Sequence, residues 1–327
     1  MFILRFLGRV LLVIFALGMF LWGAFALWYQ LPLGFFPRFL CLIVWMAAGF
    51  AVLWLAAHRR SGRALTVLVP LMAGLLVWWA TITPSLNRIW ADDVAQTVTG
   101  TLSGQEVTLL NVRDFEWRSR DDFTPRWESR SYDLGELASV DLFLSYWSNP
   151  AIAHTLVSFG FRNGEFIVFS AEIRKERGEE FSEIGGFFKQ FELAMIAADE
   201  RDIIRLRTNI RGEDVYRYRI EMKPEMRQAL FLSYVDKANH LAREASFYNT
   251  VTANCTTVIF DMMRAITPDL PLDYRVVLSG YLPGYLHDLG AIDRQKPLEE
   301  IEAAALVNRK AIAADTDPAF SARIRED

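Results

Sequence analysis

Cysteine is scarce in this chain. The 327 residues include two, Cys41 and Cys255. No CxxC and no HxxxH spacing occurs, so the pattern of a structural zinc site is missing and no metal or other cofactor is expected. Basic charge is not in excess either: 35 Lys and Arg stand against 39 Asp and Glu, a net charge of −4. That balance argues against a nucleic-acid surface. From residue 85 onward there is no internal repeat and no low-complexity run.

What the chain has in quantity is apolar sequence, concentrated in its first 84 residues. Three runs stand out, from Val10 to Tyr29, from Phe36 to Ala57 and from Ala64 to Thr83. Each has about 20 residues, the length of helix that crosses a hydrocarbon core of about 30 Å. Trp22, Trp28, Tyr29, Trp78 and Trp79 fall near the ends of the first and third runs, as interfacial aromatic residues do. Arg5 and Arg9 precede the first run, and Arg59, Arg60 and Arg63 fill the loop between the second and third. The loop between the first and second holds only Arg38. By the positive-inside rule the N-terminus is cytoplasmic and everything after the third run is outside. The expectation is a multi-pass protein of the bacterial inner membrane with a periplasmic C-terminal domain and the lipid bilayer as a partner. Arg5, Arg9, the first run and Ala24-Phe25-Ala26 also fit a secretory signal with a cleavage site. Cleavage would leave the domain on the same side.

Three parts follow: a transmembrane region over residues 1–84, a periplasmic domain over 85–295 and a C-terminal part over 296–327. In the domain, the stretch from about Thr97 to Asp133 reads as extended, with Val107, Leu109 and Asn111 alternating against Thr108, Leu110 and Val112. A short helix is predicted near Leu134 to Leu144. "HTLVSFGFRNGEFIVFSAEIRKE" reads as a hairpin with a two-residue turn at Asn163-Gly164. "IIRLRTNI" and "DVYRYRIEM" read as further strands. A helix opens at Pro224, with Met226, Leu230, Tyr234, Ala238 and Leu241 on one face. A second helix carries Val258, Ile259, Met262, Met263 and Ile266 as its core stripe, is capped by Asn254 or Thr252, and stops at Pro268. After about Lys296 the Ala- and charge-rich sequence predicts a helix and a loose end. The class is α+β.

Cys255 falls in or beside the first turn of that second helix. The periplasm oxidises thiols, yet the domain offers Cys255 no partner, which leaves a free reactive thiol, an intermolecular disulfide or a buried inert side chain. A helix N-terminus favours the thiolate, the reactive form. A nucleophilic cysteine needs a base, and the domain has His154, His240 and His287. His240 sits between Lys237 and Arg243 at helical spacing and faces solvent. His287 follows a turn-rich stretch. His154 opens the first hairpin strand, at the junction of a rigid element and a loop.

Four stretches, "AHTLVSFGF", "FSAEIRKERGE", "AADERDI" and "YNTVTANCTTVIF", resemble in that order the bacterial Lnb N-terminal periplasmic domain. The resemblance covers roughly residues 90–295, and its most specific part is the Asn-Cys-Thr-Thr block with the upstream histidine strand. It implies a circularly permuted papain-like (NlpC-type) domain, similar to cell-wall peptidases and to lecithin:retinol acyltransferase-like enzymes. It implies Cys255 as nucleophile and His154 as base. It also implies a thiol acyltransferase or hydrolase acting on lipoproteins, phospholipid or peptidoglycan peptides. The namesake is associated with N-acylation of bacterial lipoproteins; this chain differs in carrying three apolar segments directly before the domain.

A third residue usually orients the histidine. With a two-residue turn, His154 would face Ile173 and Thr155 would face Glu172, which puts Glu172 and Ser170 on the face away from His154. One bulge would reverse this. Glu172, Asn254 and Tyr248 remain candidates, the last two as orienting groups or oxyanion donors beside the Cys255 N–H. Phe187, Phe188 and Phe191 fit either an acyl groove or the core. A rival reading from another class is a non-catalytic binding or scaffold domain, with Cys255 buried and His154 more than about 6 Å away.

Overall fold

The structure, a computed structural model, describes residues 2–326 and only the backbone of Phe2 and Arg5; the contribution of the Arg5 charge therefore lies outside it. The chain forms two compact units. One comprises the residues up to Ser85 together with Ser182–Gln190, and the other comprises Leu86–Phe181 and Phe191 onward.

In the first unit, α1 (Phe2–Gln30), α2 (Phe35–Ala57) and α3 (Ser61–Thr81) are the helices, among the described residues, long and apolar enough to cross a membrane. Small residues set their approach. A side chain on Gly23 would collide with Trp45 of α2 and Leu75 of α3, and close backbone approach of this kind is a usual way for apolar helices to associate. The seam holds Phe20, Val52, Leu68 and Met72, while Leu17, Val44, Phe50 and Val69 remain exposed, as a lipid-facing surface requires. The short helix α4 (Glu183–Phe187) also belongs to this unit.

The second unit is mixed α+β. Among its described residues ten strands form: β1 (Thr99–Ser103), β2 (Glu106–Arg113), β3 (Glu116–Trp117), β4 (Phe123–Thr124), β5 (Trp127–Asp133), β6 (Leu137–Tyr146), β7 (His154–Phe161), β8 (Phe166–Arg174), β9 (Glu192–Ala198) and β10 (Asp214–Arg219). Eight make one sheet in the order β1-β2-β9-β8-β7-β6-β10, with β5 also on β2. Only the β2–β9 pairing is parallel. On one face α6 (Pro224–Arg243) and α7 (Cys255–Ile266) cover Val157, Phe159 and Phe169. Leu230, Tyr234, Ala238 and Leu241 of α6 are buried there as their spacing predicts. The opposite face presents Phe143, Leu156, Val168 and Ile196 to a second core.

Five local expectations change, the fifth at the hairpin turn. First, Leu134–Glu136 alone is a helical turn, and β6 follows. Both faces of β6 are covered, so its sequence lacks a polar face and imitates a helix. Second, "IIRLRTNI" is not a strand but the end of α5 (Glu200–Arg205) and a π-helical turn, Leu206–Arg211. Asp199 caps this helix through the Arg201 N–H, and Glu200 and Asp202 sit in its first turn, where acids suit the dipole. Asp202 holds the helix down. Fully buried, it accepts from Arg113 Nε at 2.8 Å, Arg113 Nη2 at 3.0 Å, Phe115 N at 2.9 Å and Trp117 Nε1 at 2.7 Å. Third, the alternation in β2 breaks at Asn111, which takes φ +62° at a register shift. Val112 is buried instead, as a bulge allows.

Fourth, the C-terminal part is packed rather than loose. Helices α8 (Tyr274–Val277) and α9 (Leu282–Leu289) lead to α10 (Leu298–Ala305), α11 (Asn308–Ala313) and α12 (Phe320–Arg323). Val307, Ala311, Phe320 and Ile324 fill the second core. Arg325 reaches two carboxylates with no exposure, Asp141 and Glu200.

The hairpin turn matters most for the candidate site. Phe161 N–H donates to Glu165 O at 2.9 Å, and Gly164 N–H donates to Phe161 O at 3.0 Å. The loop is therefore three residues, Arg162, Asn163 and Gly164, with Gly164 at φ +87°. Asn163 selects it. Its Oδ1 accepts the Glu165 N–H at 3.0 Å, and its backbone does not adopt the positive φ that a type I′ turn needs. Leu156 consequently pairs with Ser170, and Phe159 with Ile167. The whole of β8 is shifted by one residue from the two-residue expectation.

Candidate functional site: a cysteine, a histidine and a glutamate

That shift brings the third residue to the histidine. Continued two residues beyond the Leu156–Ser170 pair, the register puts Glu172 opposite His154, and both side chains leave the same face. His154 Nε2 lies 2.8 Å from Ser170 Oγ and 3.1 Å from Glu172 Oε1. Ser170 donates its hydroxyl to the same carboxylate at 2.7 Å. With that hydrogen committed, the hydroxyl can only accept from Nε2. The network thus places a proton on Nε2.

Cys255 is the first residue of α7. Asn254 is the cap: its Oδ1 accepts from Thr256 N at 2.9 Å and Thr257 N at 2.8 Å, and Thr257 Oγ1 accepts the Asn254 N–H at 2.9 Å. Its Nδ2 donates to Thr250 O at 2.8 Å. The Asn254 amide is therefore occupied in building the helix start. Thr256 and Thr155 join hydroxyls at 2.8 Å, pinning α7 to β7. At this junction Cys255 Sγ lies 3.8 Å from Thr256 Oγ1, and His154 and the Thr155 N–H are near enough to stabilise its anion. Tyr248 is half-buried against the first core, with its N–H on Phe191 O at 2.9 Å. Thus Cys255, His154 and Glu172 converge, while Asn254 holds the frame.

The remaining sequence candidates lie elsewhere. His240 is exposed in the last turn of α6, and His287 Nε2 lies 3.1 Å from Lys296 O. Phe191 is fully buried, Phe188 is buried within the first unit, and Phe187 is exposed. Among the described residues no three His, Cys, Asp or Glu side chains converge as metal ligands do.

Electrostatics favour an ion pair. Burial works against the Glu172 carboxylate, but the His154 charge and hydrogen bond, Arg207 and Ser170 hold it well below the usual range. Burial and Arg207 both oppose a charged His154; Glu172 and Cys255 outweigh them and lift its pKa to about 9. Burial would raise the Cys255 thiol, yet the His154 charge and hydrogen bond, the Thr155 N–H and the Thr256 hydroxyl lower it. Both shifts move the pair toward imidazolium and thiolate. Cys255 is 9% exposed and the His154 side chain 12%, so the site is narrow but not sealed.

Arg207 was not legible as a site residue. It sits in the run that reads as a strand. In the π-helical turn it stands behind Glu172, Nη2 at 3.2 Å from Glu172 Oε1 and Nη1 at 3.1 Å from Glu213 Oε2. Glu213 is in turn fixed by Ser145 Oγ at 2.5 Å. The signal that could have exposed Arg207 is the Asp199 cap, which announces a helix.

Glu172→Gln tests this arrangement. Without the carboxylate, His154 loses the charge that raises its pKa, and the neighbouring Arg207 lowers it further. The pH at which alkylation of Cys255 reaches half its plateau should rise by about one unit or more. A pH profile of iodoacetamide labelling measures this, and an unmoved midpoint would rule out the coupling.

No curated protein and no solved structure matches the chain. A family model does match, the Lnb N-terminal periplasmic domain, over residues 123–280. That span contains His154, Ser170, Glu172, Arg207 and Cys255, and the match identifies it as an Lnb N-terminal periplasmic domain.

Proposed function

We propose that this chain is a membrane-anchored periplasmic thiol acyltransferase or hydrolase, with Cys255 as nucleophile, His154 as base and Glu172 as the group that orients the histidine. One observation carries the reading: a thiol at a helix start stands beside a histidine whose Nε2 lies 3.1 Å from a half-buried carboxylate. The chain order of histidine before cysteine, and a cysteine helix packed on an antiparallel sheet, support a permuted papain-like arrangement. Arg9, Arg59, Arg60 and Arg63 support a cytoplasmic N-terminus, with α1–α3 each crossing the membrane.

The chemistry follows from the pair. The Cys255 thiolate attacks an acyl carbonyl and forms the C–S bond. The Cys255 N–H, which has no partner among the described residues, and the positive end of α7 stabilise the oxyanion. As the intermediate collapses, the bond to the leaving alkoxide or amine breaks and imidazolium His154 supplies its proton. An incoming amine or water then attacks the thioester, gives its proton to His154 and releases the thiolate. Glu172 keeps the ring oriented in both steps. Membrane attachment favours lipid or lipoprotein acyl groups as substrate; the same machinery would cleave peptidoglycan peptides.

Cys255→Ala is the direct test. A thiol-directed acyl probe should label the wild-type chain at Cys255 at neutral pH and leave the variant unlabelled. Equal labelling of both would end the nucleophile assignment. In cells, mass spectrometry of lipoprotein N-termini and of cell-wall peptides should show a change with the variant in one of the two; the pool that changes names the substrate class.

A further inference from the structure

Residues Ser182–Gln190 lie between β8 and β9 in sequence, but they pack with α1–α3. Polar contacts fix both ends of the segment to helix ends. Ser182 Oγ lies 3.2 Å from Tyr29 Oη, and Gln30 Nε2 donates to Phe188 O at 2.8 Å. Lys189 Nζ donates to Trp79 O at 2.9 Å, which also accepts the capping Ile82 N–H at 3.4 Å, and to Ile82 O at 3.0 Å, just past the end of α3. The ammonium also lies 4.7 Å from the centre of the Trp79 ring. The ends of α1 and α3 are on one side of an up-down-up arrangement, so the segment sits at a single membrane face.

Its depth follows from Phe188. The ring lies 5.4 Å from Phe25, 5.9 Å from Tyr29, 6.4 Å from Trp79 and 6.5 Å from Trp22, centre to centre. Trp22 is eight residues before Gln30, the last residue of α1. At 1.5 Å per residue, Phe188 meets α1 as far as about 12 Å below its end. The backbone is equipped for that depth. Ser182 Oγ accepts from Gly185 N at 3.0 Å, Ser182 O from Gly186 N at 3.1 Å, and Gly185 O from Phe188 N at 2.9 Å. Internal pairing of this kind is what a segment among acyl chains requires. Ile184 and Phe187, one helical turn apart on α4, are 48% and 46% exposed although both are large and apolar.

We infer that Ser182–Gln190 is a re-entrant membrane segment that inserts Ile184 and Phe187 among the acyl chains of one leaflet. The partner is the bilayer, because Ile184 and Phe187 continue the exposed apolar helix surface of the same unit. The inference rests on α1–α3 spanning the membrane, and it adds a fourth contact contributed by the sequence of the soluble domain.

The test uses the full chain in phospholipid vesicles, with Cys41→Ala and Cys255→Ala to remove native thiols. A nitroxide is attached after Phe187→Cys, Ile184→Cys, Val44→Cys or Leu272→Cys. Val44 is exposed midway along α2, and Leu272 is exposed in the second unit. Power saturation compares access of oxygen, which concentrates in lipid, with access of a nickel chelate, which stays in water. The expected result is an oxygen-to-nickel ratio severalfold higher at 184, 187 and 44 than at 272. Water-like values at 184 and 187, with Val44 lipid-like, overturn the insertion and leave the spanning helices intact. Exclusion of both reagents at 184 and 187 also overturns it, since that means packing against protein. Water-like values at Val44 as well would remove the spanning reading and the inference together.

Discussion

Replacing His154 with alanine should slow alkylation of Cys255 by about 100-fold at pH 7. An ordinary thiol, with a pKa of about 8.5, is only a few per cent thiolate at that pH. Cys255 is buried, which raises a thiol further, and the His154 charge and hydrogen bond are the largest influences working the other way. Removing them hands the equilibrium to burial. The lost reactivity should return as pH rises, about tenfold per unit, because hydroxide takes over the work of the imidazolium. The wild-type rate should climb less steeply over the same range, since its thiol is already lowered. Mass spectrometry of the Cys255 peptide distinguishes this from labelling of Cys41. A His154→Ala rate equal to wild type at pH 7 would mean that the helix start alone activates the thiol.

Acyl turnover should add an alkaline limb that alkylation lacks. His154 must be protonated to release the leaving group, so turnover should fall near pH 9 as its raised pKa is passed. Alkylation needs only the thiolate and should not fall there.

The second large effect concerns stability and lies on the face of the sheet away from α7. Arg325→Met should destabilise the second unit by about 3–5 kcal/mol. Arg325 Nη2 lies 2.8 Å from Asp141 Oδ2 and 2.6 Å from Glu200 Oε1, and Nη1 lies 2.7 Å from Glu200 Oε2. Asp141 would keep Arg217 at 3.0 Å, but Glu200 would keep only the Ser158 hydroxyl at 2.5 Å among these partners. The attraction in the intact cluster is partly offset by desolvation, so the cluster itself adds little net stability. Removing one partner is different, because a fully buried carboxylate is left without its cation. Thermal unfolding should move down by on the order of 10 °C. Arg325→Lys should fall between, since an ammonium cannot match the guanidinium fork. A loss under about 1 kcal/mol for Arg325→Met would show that water enters and solvates Glu200.

Much of the fold was legible because the decisive patterns are local. The three apolar runs, the stripe Leu230, Tyr234, Ala238 and Leu241, and the Asn254 cap each announce themselves within a few turns of chain. Misreadings arose where burial on both sides hid the period. Leu137–Tyr146 carries Asp141 and Ser145 inside, so neither polarity nor alternation marked it as a strand. Ile203 to Ile210 carries Arg207 and Thr208 inside, and its charges imitated the exposed face of a strand. The site followed the same division. Cys255 and His154 could be read from a helix start and a strand start. Glu172 depended on one residue of loop length, and Arg207 on recognising a cap. Neither leaves a mark in the spacing of Cys255 and His154 themselves.

The turn at Arg162, Asn163 and Gly164 works as a phase setting for everything downstream of it on β8. Closing the turn on Asn163-Gly164 alone, with Arg162 drawn into the ladder opposite Glu165, would change no side chain that touches Cys255. It would nevertheless exchange the two faces of β8 relative to β7, sending Glu172 and Ser170 to the side of α7 and bringing Ile173 toward His154. The choice between two and three residues at a distant, solvent-exposed turn is as much a part of this site as the residues that line it.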